Sequence, residues 1–76
     1  MSKLRIAFAG FRHGHITSLY DLAQRRDDLQ VVAACEEHGE TRAQLERAGH
    51  VEITHSELEA LLEVDSDIIE IGRAHV

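Results

Sequence analysis

No proline occurs in the 76-residue chain, tryptophan is missing, and cysteine is found once, as Cys35. A single cysteine cannot close an internal disulfide, so a small disulfide-stapled fold is excluded. Aromatic residues are only 4% of the chain, which leaves aliphatic side chains to build a core. Basic residues are few: 8 Lys and Arg stand against 14 Asp and Glu, giving a net charge of −6 with no basic patch. Nucleic acid and anionic membrane surfaces are therefore not expected as partners. The apolar run from Leu4 to Ala9 is interrupted by Arg5 and is too short for a signal sequence. Nothing approaches the roughly 20 apolar residues of a membrane span. A reducing, cytoplasmic setting is the expectation.

What is present reads as globular. Hydrophobic residues are 43% and charged residues 29%, too apolar for a disordered chain. The length bounds the fold to one small domain, which buries proportionately little surface. "LRIAFAG" predicts a strand stopped by Gly10, with Leu4, Ile6 and Phe8 alternating with smaller or polar neighbours. From His15 the period changes: Ile16, Leu19, Tyr20 and Ala23 fall on one face of a helix. Arg25 and Arg26 are expected in its last turn, where cations complement the dipole. "VVAAC" is a continuous apolar run that suits a strand buried on both faces.

"EEHGE" is expected to open a second helix, with a thin stripe of Ala43, Leu45 and Ala48 and a left-handed cap at Gly49. "HVEIT" predicts a short third strand, Ser56 with Glu59 a capping box for a third helix, and "DSDIIEI" a fourth strand. The third helix would bury Leu58, Leu61 and Leu62. The order βαβαβαβ with short connections implies an α/β class, a doubly wound parallel sheet.

In such a sheet the first strand ends beside the first helix, whose unpaired amides and dipole welcome an anion. The turn there is Gly10-Phe11-Arg12-His13-Gly14-His15. Against the dinucleotide pattern G-x-G-x-x-G, only Gly10 matches: Arg12 and His15 stand at the other two positions and Gly14 is displaced by one. Context strengthens the reading. Glu36 ends the second strand 21 residues beyond His15, near the roughly 20-residue spacing of the acid that takes the ribose hydroxyls. Glu36, with Glu37 beside it, would repel a 2′-phosphate, so NAD is favoured over NADP. The expected cofactor-binding residues are Gly10, Phe11, Arg12, His13, Gly14 and Glu36.

Competing chemistries fare worse. Three residues, not four, separate Gly10 from Gly14, and no Lys-Ser/Thr follows, which excludes a Walker loop. "AFAG" places no aspartate at the end of the first strand, as a phosphoacceptor receiver would need. His13 and His15 do not share a face and have no adjacent acid or thiol, so no metal site is expected. His38, His50 and His55 read as solvated loop residues, and Cys35 as a core residue.

The segments "RIAFAGFRHGHI", "LQVVAACEEHGETRAQL" and "HSELEALLEVDSDIIEI" together resemble the N-terminal dinucleotide domain of the glucose–fructose oxidoreductase / inositol 2-dehydrogenase / MocA family. That family shows a first turn G-x-x-x-x-H, an acid closing the second strand and a D-x-D-apolar fourth strand. The resemblance implies a Rossmann-type sheet and hydride transfer between NAD(P) and a sugar-like or polyol substrate. It also implies a truncated piece of a larger, homo-oligomeric enzyme. The family's catalytic lysine sits in a Glu-Lys-Pro motif beyond the fourth strand, so no catalytic residue is expected in this chain. Two alternatives share the pattern: an S-adenosylmethionine-dependent methyltransferase, which would want a denser glycine loop, and a non-catalytic nucleotide-sensing module.

Residues 71–76, "IGRAHV", break the family pattern. The codons ATC GGA AGA GCA CAC GTC encode that string and look like a common sequencing adapter. The expected organisation is thus 1–70 as the start of a dinucleotide-binding domain and 71–76 as a non-native tail, with His75 carrying no function.

Overall fold

The computed structural model describes residues 3–12 and 14–72. Strand β1 (Leu4–Ala9) leads to helix α1 (Gly14–Arg25), strand β2 (Leu29–Cys35), helix α2 (Gly39–Ala48), the short helix α3 (Leu58–Leu62) and strand β3 (Ile68–Ile71). The three strands form one parallel sheet in the order β2-β1-β3. The α/β class is as the sequence implies, but the element order is βαβααβ.

"HVEIT" does not form a strand. It runs beside the outer edge of β2, and the residue after it, His55, makes one parallel bridge to Cys35. The peptide N–H groups of Thr54 and His55 both donate to the Ala34 carbonyl, and Thr54 Oγ1 accepts from Ala34 N–H at 2.9 Å. A side chain thus makes a bond that a strand ladder would make with backbone. Val51 is buried, and its neighbour Glu52 donates its N–H to the Tyr20 hydroxyl. Anchored at both ends, the segment has too few residues between for a ladder.

Alternation along β1 divides the core between the two sheet faces. Ile6 and Phe8 point to α1 and pack with Phe11, Ile16, Tyr20, Ala23, Ala34 and Val51. Ala7 and Ala9 point the other way, with Ala33, Cys35 and Leu61. Helices therefore cover both faces of the sheet, α1 on one and α3 on the other. β2 carries an irregularity in this scheme: Ile6 pairs with Val31 and Ala7 with Ala33, leaving Val32 without a partner. The slip lets Val32 and Ala33 both serve the α3 face.

Aliphatic residues alone do not build the core, contrary to expectation. All three aromatic residues of the chain, Phe8, Phe11 and Tyr20, meet on the α1 face. Their ring centroids lie 5.4 to 6.4 Å apart, tilted or edge-on, the arrangement their quadrupoles favour.

The helices divide between expectation and correction. Ile16, Tyr20 and Ala23 are buried on α1 as their spacing predicts. Arg25 lies in its last turn and pairs with Asp21, whereas Arg26 falls beyond the helix and pairs with Asp28. α2 ends at Gly49, whose φ of 74° allows its N–H to reach the Leu45 carbonyl. Ala43 and Ala48 are exposed, and only Leu45 leans on the core. Leu62 is likewise exposed, while Leu61 is buried.

The Ser56–Glu59 capping box is not made. α3 starts one residue later, at a Glu57 cap without a side-chain bond, and its first amide, Leu58 N–H, donates to Glu37 Oε2 at 3.0 Å. A carboxylate from 21 residues earlier in the chain supplies the missing acceptor. β3 is started by Asp67, whose carboxylate accepts the Arg5 backbone N–H at 2.8 Å and is held below its usual range by that bond and by the Arg5 side chain. Ile71 pairs with Ala9, and Gly72 N–H donates to the Ala9 carbonyl, so the first two residues of the expected tail lie along the sheet. His13 and residues 73–76 fall outside the described residues.

Leu61, fully buried between α3 and the sheet, tests the packing. Leu61→Ala is expected to cost about 2–5 kcal/mol, read as a fall in the urea midpoint. Leu22→Ala, at a position 54% exposed, should shift stability by no more than about 0.5 kcal/mol.

Candidate functional site

All three strands end at one rim of the sheet, and a cleft of about 330 Å³ opens there. Its lining comes from the ends of β1 (Ala9, Gly10, Arg12), β2 (Cys35, Glu36, Glu37, His38) and β3 (Ile71, Gly72), with Leu58 of α3 closing one side. Parallel strands with crossover helices bring their carboxyl ends to a common edge, so a crevice there is a product of the topology.

At Gly10 the chain turns with φ of 84°. A Cβ on that residue would lie 2.5 Å from the Gly72 carbonyl oxygen, and one on Gly72 would meet the Gly10 carbonyl in turn. Two backbones thus pass in direct contact under the cleft. Gly10 N–H donates to the Cys35 carbonyl at 3.0 Å, which fastens the turn to the end of β2.

Glu36 is buried, with 3% of its surface exposed. Its Oε1 accepts Phe11 N–H at 2.5 Å, and its Oε2 accepts His38 N–H at 2.9 Å. Its own N–H donates to the His55 carbonyl, and its carbonyl accepts from the Arg42 guanidinium at 2.8 Å. Charged hydrogen bonds of this kind are shorter and stronger than neutral ones, and together they satisfy a carboxylate that would otherwise be costly to bury.

The structure brings four of the six sequence-predicted residues to one place: Gly10, Arg12 and Glu36 line the cleft, and Phe11 bonds Glu36. Phe11 enters the site through its peptide alone, because its ring is buried in the aromatic cluster. Arg12 is exposed at the mouth. Gly14 begins α1, and His13 lies outside the described residues. His15 is exposed on α1.

Three residues outside the expected cofactor-binding set take part. Arg42 holds the peptide after β2, Glu37 caps α3, and His38 caps α2 through Nδ1, which accepts from Thr41 N–H. Only Glu37 and His38 had a local signal, their place just after an apolar run. Arg42 reads in sequence as any exposed helix cation.

Cys35 closes the floor of the cleft and is 1% exposed. Burial pushes its thiol pKa up, and the negative charges of Glu37 and Glu36 push it further, against a smaller opposing effect of Arg42. The thiol is the state this site favours, so nucleophilic reactivity is suppressed.

No protein-family model, no curated protein and no solved structure matches the chain. Among the described residues, no helix is long and apolar enough to cross a membrane.

The raised Cys35 pKa has a consequence for stability. Unfolded chain loses the thiol proton at lower pH than folded chain, so above the ordinary thiol range the unfolded state binds fewer protons and stability falls. The contribution is complete below that range and disappears as pH climbs through the raised value. Denaturation midpoints of the wild type should therefore decline at alkaline pH more steeply than those of Cys35→Ala. Parallel declines would rule out the linkage.

Proposed function

We propose that the chain is the N-terminal part of a Rossmann-type NAD-binding domain from an oxidoreductase related to the glucose–fructose oxidoreductase / inositol 2-dehydrogenase / MocA family. One observation carries the reading: the Glu36 carboxylate closing β2 is hydrogen-bonded to the glycine turn closing β1, through Phe11 N–H. Those are the two parts a dinucleotide site needs side by side, an acceptor for ribose hydroxyls and an amide-rich turn before a helix. The parallel strand order β2-β1-β3, with a chain segment bridging the far side of β2, supports the same reading.

The residues present fit part of such a ligand. Each carboxylate oxygen has two acceptor positions, and each Glu36 oxygen receives one peptide N–H. Acceptor capacity is left for ribose hydroxyls. Phe11 N–H is committed to Glu36, so phosphate would be held from Arg12 onward, by its guanidinium and the start of α1. The cleft volume lies at the lower end of the roughly 300–1,000 Å³ of small-molecule sites, which suits the adenosine half. Glu36 and Glu37 disfavour a 2′-phosphate and so favour NAD over NADP.

When bound, the nicotinamide supplies the hydride chemistry. This chain's own residues bind and orient the adenosine end. A sugar-like or polyol substrate, a homo-oligomeric parent and a cytoplasmic setting belong to the proposal through the family resemblance.

Calorimetry with NAD, NADP and S-adenosylmethionine tests it. Heat with NAD, weaker heat with NADP, and a loss of about tenfold or more for NAD in Glu36→Gln are expected, since a charged hydrogen bond contributes about 1.5–3 kcal/mol. Heat with S-adenosylmethionine alone would identify a methyltransferase instead. No heat from a chain shown by circular dichroism to be folded refutes nucleotide binding.

A further inference from the structure

We propose that His38 is a proton-responsive cap that couples the start of α2 to the Glu36 carboxylate. The coupling is built from four contacts between residues 36 and 42. His38 Nδ1 accepts Thr41 N–H at 3.3 Å and lies 2.8 Å from Thr41 Oγ1. The His38 peptide N–H donates to Glu36 Oε2. Arg42, next to Thr41, donates to the Glu36 carbonyl.

Most N-terminal caps are Ser, Thr, Asp or Asn, whose oxygens accept at any pH near neutrality. An imidazole accepts at Nδ1 only in its neutral form with the proton on Nε2. A proton added at Nδ1 removes the acceptor for Thr41 N–H. It also places a positive charge at the positive end of the helix dipole. The contact to Thr41 Oγ1 survives, because the hydroxyl then accepts from Nδ1–H.

α2 has little else to hold its first turn. It buries no residue, and Leu45, its one side chain packed on the core, lies a full turn further on. The charged groups on this segment and on the elements next to it are Glu36 and Glu37 before the ring, Glu40 in the first turn, Arg42 beyond it, Arg12 across the cleft and Glu57 at the start of α3. Loosening of the first turn releases His38 N–H and Arg42 from Glu36, and through Glu36 reaches Phe11 N–H in the glycine turn.

Amide exchange followed by NMR from pH 8 to 5, the range in which histidines exchange a proton, tests the device without any ligand. Protection at Thr41 should fall about fivefold, the size of a lost cap, together with protonation of the His38 ring, and the Phe11 amide shift should change with it. His38→Asn, which keeps an uncharged acceptor, should abolish both changes. Constant protection at Thr41 through the His38 titration, or the same loss in His38→Asn, overturns the proposal. Ring nitrogen shifts of the unaltered chain give a second reading: a proton on Nδ1 at pH 8 also overturns it.

Discussion

The site end of the molecule depends on a buried carboxylate held by peptide N–H groups. Among the described residues, Glu36 is the one charged side chain that is buried. It is tolerated because the chain on either side supplies its partners, Phe11 from the turn after β1 and His38 from the start of α2. Those bonds fix where the glycine turn lies relative to β2. They also align α2, whose own packing is too thin to do so. A core of alanines, larger aliphatic residues and three aromatics positions the strands. The carboxylate positions the turns at their carboxyl ends.

The same economy recurs at other ends of elements. Glu37 provides the acceptor for α3, Asp67 receives the Arg5 amide at the opening of β3, and Thr54 replaces a strand bond on the outer edge of β2. In a chain of 76 residues, with little apolar surface to bury, side chains reaching to backbone take over tasks that longer ladders and helices perform in larger domains. The acidic balance of the sequence has a structural counterpart here, since several of its carboxylates accept peptide N–H groups.

Much of this was legible in the sequence. The period of α1, the buried character of β2, the Gly49 cap and the parallel arrangement arise from local patterns that the packing reinforces. The proximity of Gly10 and Glu36 was legible too, because β2 must lie beside β1 and both must end on one rim. Local patterns could not convey bonds across long stretches of chain. Ser56 and Glu59 form an adequate capping signal, yet Glu37 supplies the first acceptor of α3. "HVEIT" alternates like a strand, yet Thr54 Oγ1 and the Tyr20 hydroxyl claim its peptide groups and those of its neighbour first. A 4% aromatic content suggested an aliphatic core, because composition says nothing of all three rings converging.

The contact between Gly10 and Gly72 ties together two points 62 residues apart in sequence. Neither has room for a methyl group while the other's carbonyl stays where it is. Side chains introduced at both would compete for one space, so their costs would not sum: whichever came first would already have forced β1 and β3 to splay. The floor of the crevice therefore behaves as a single steric element assembled from two turns, and any drift in one must be answered by the other.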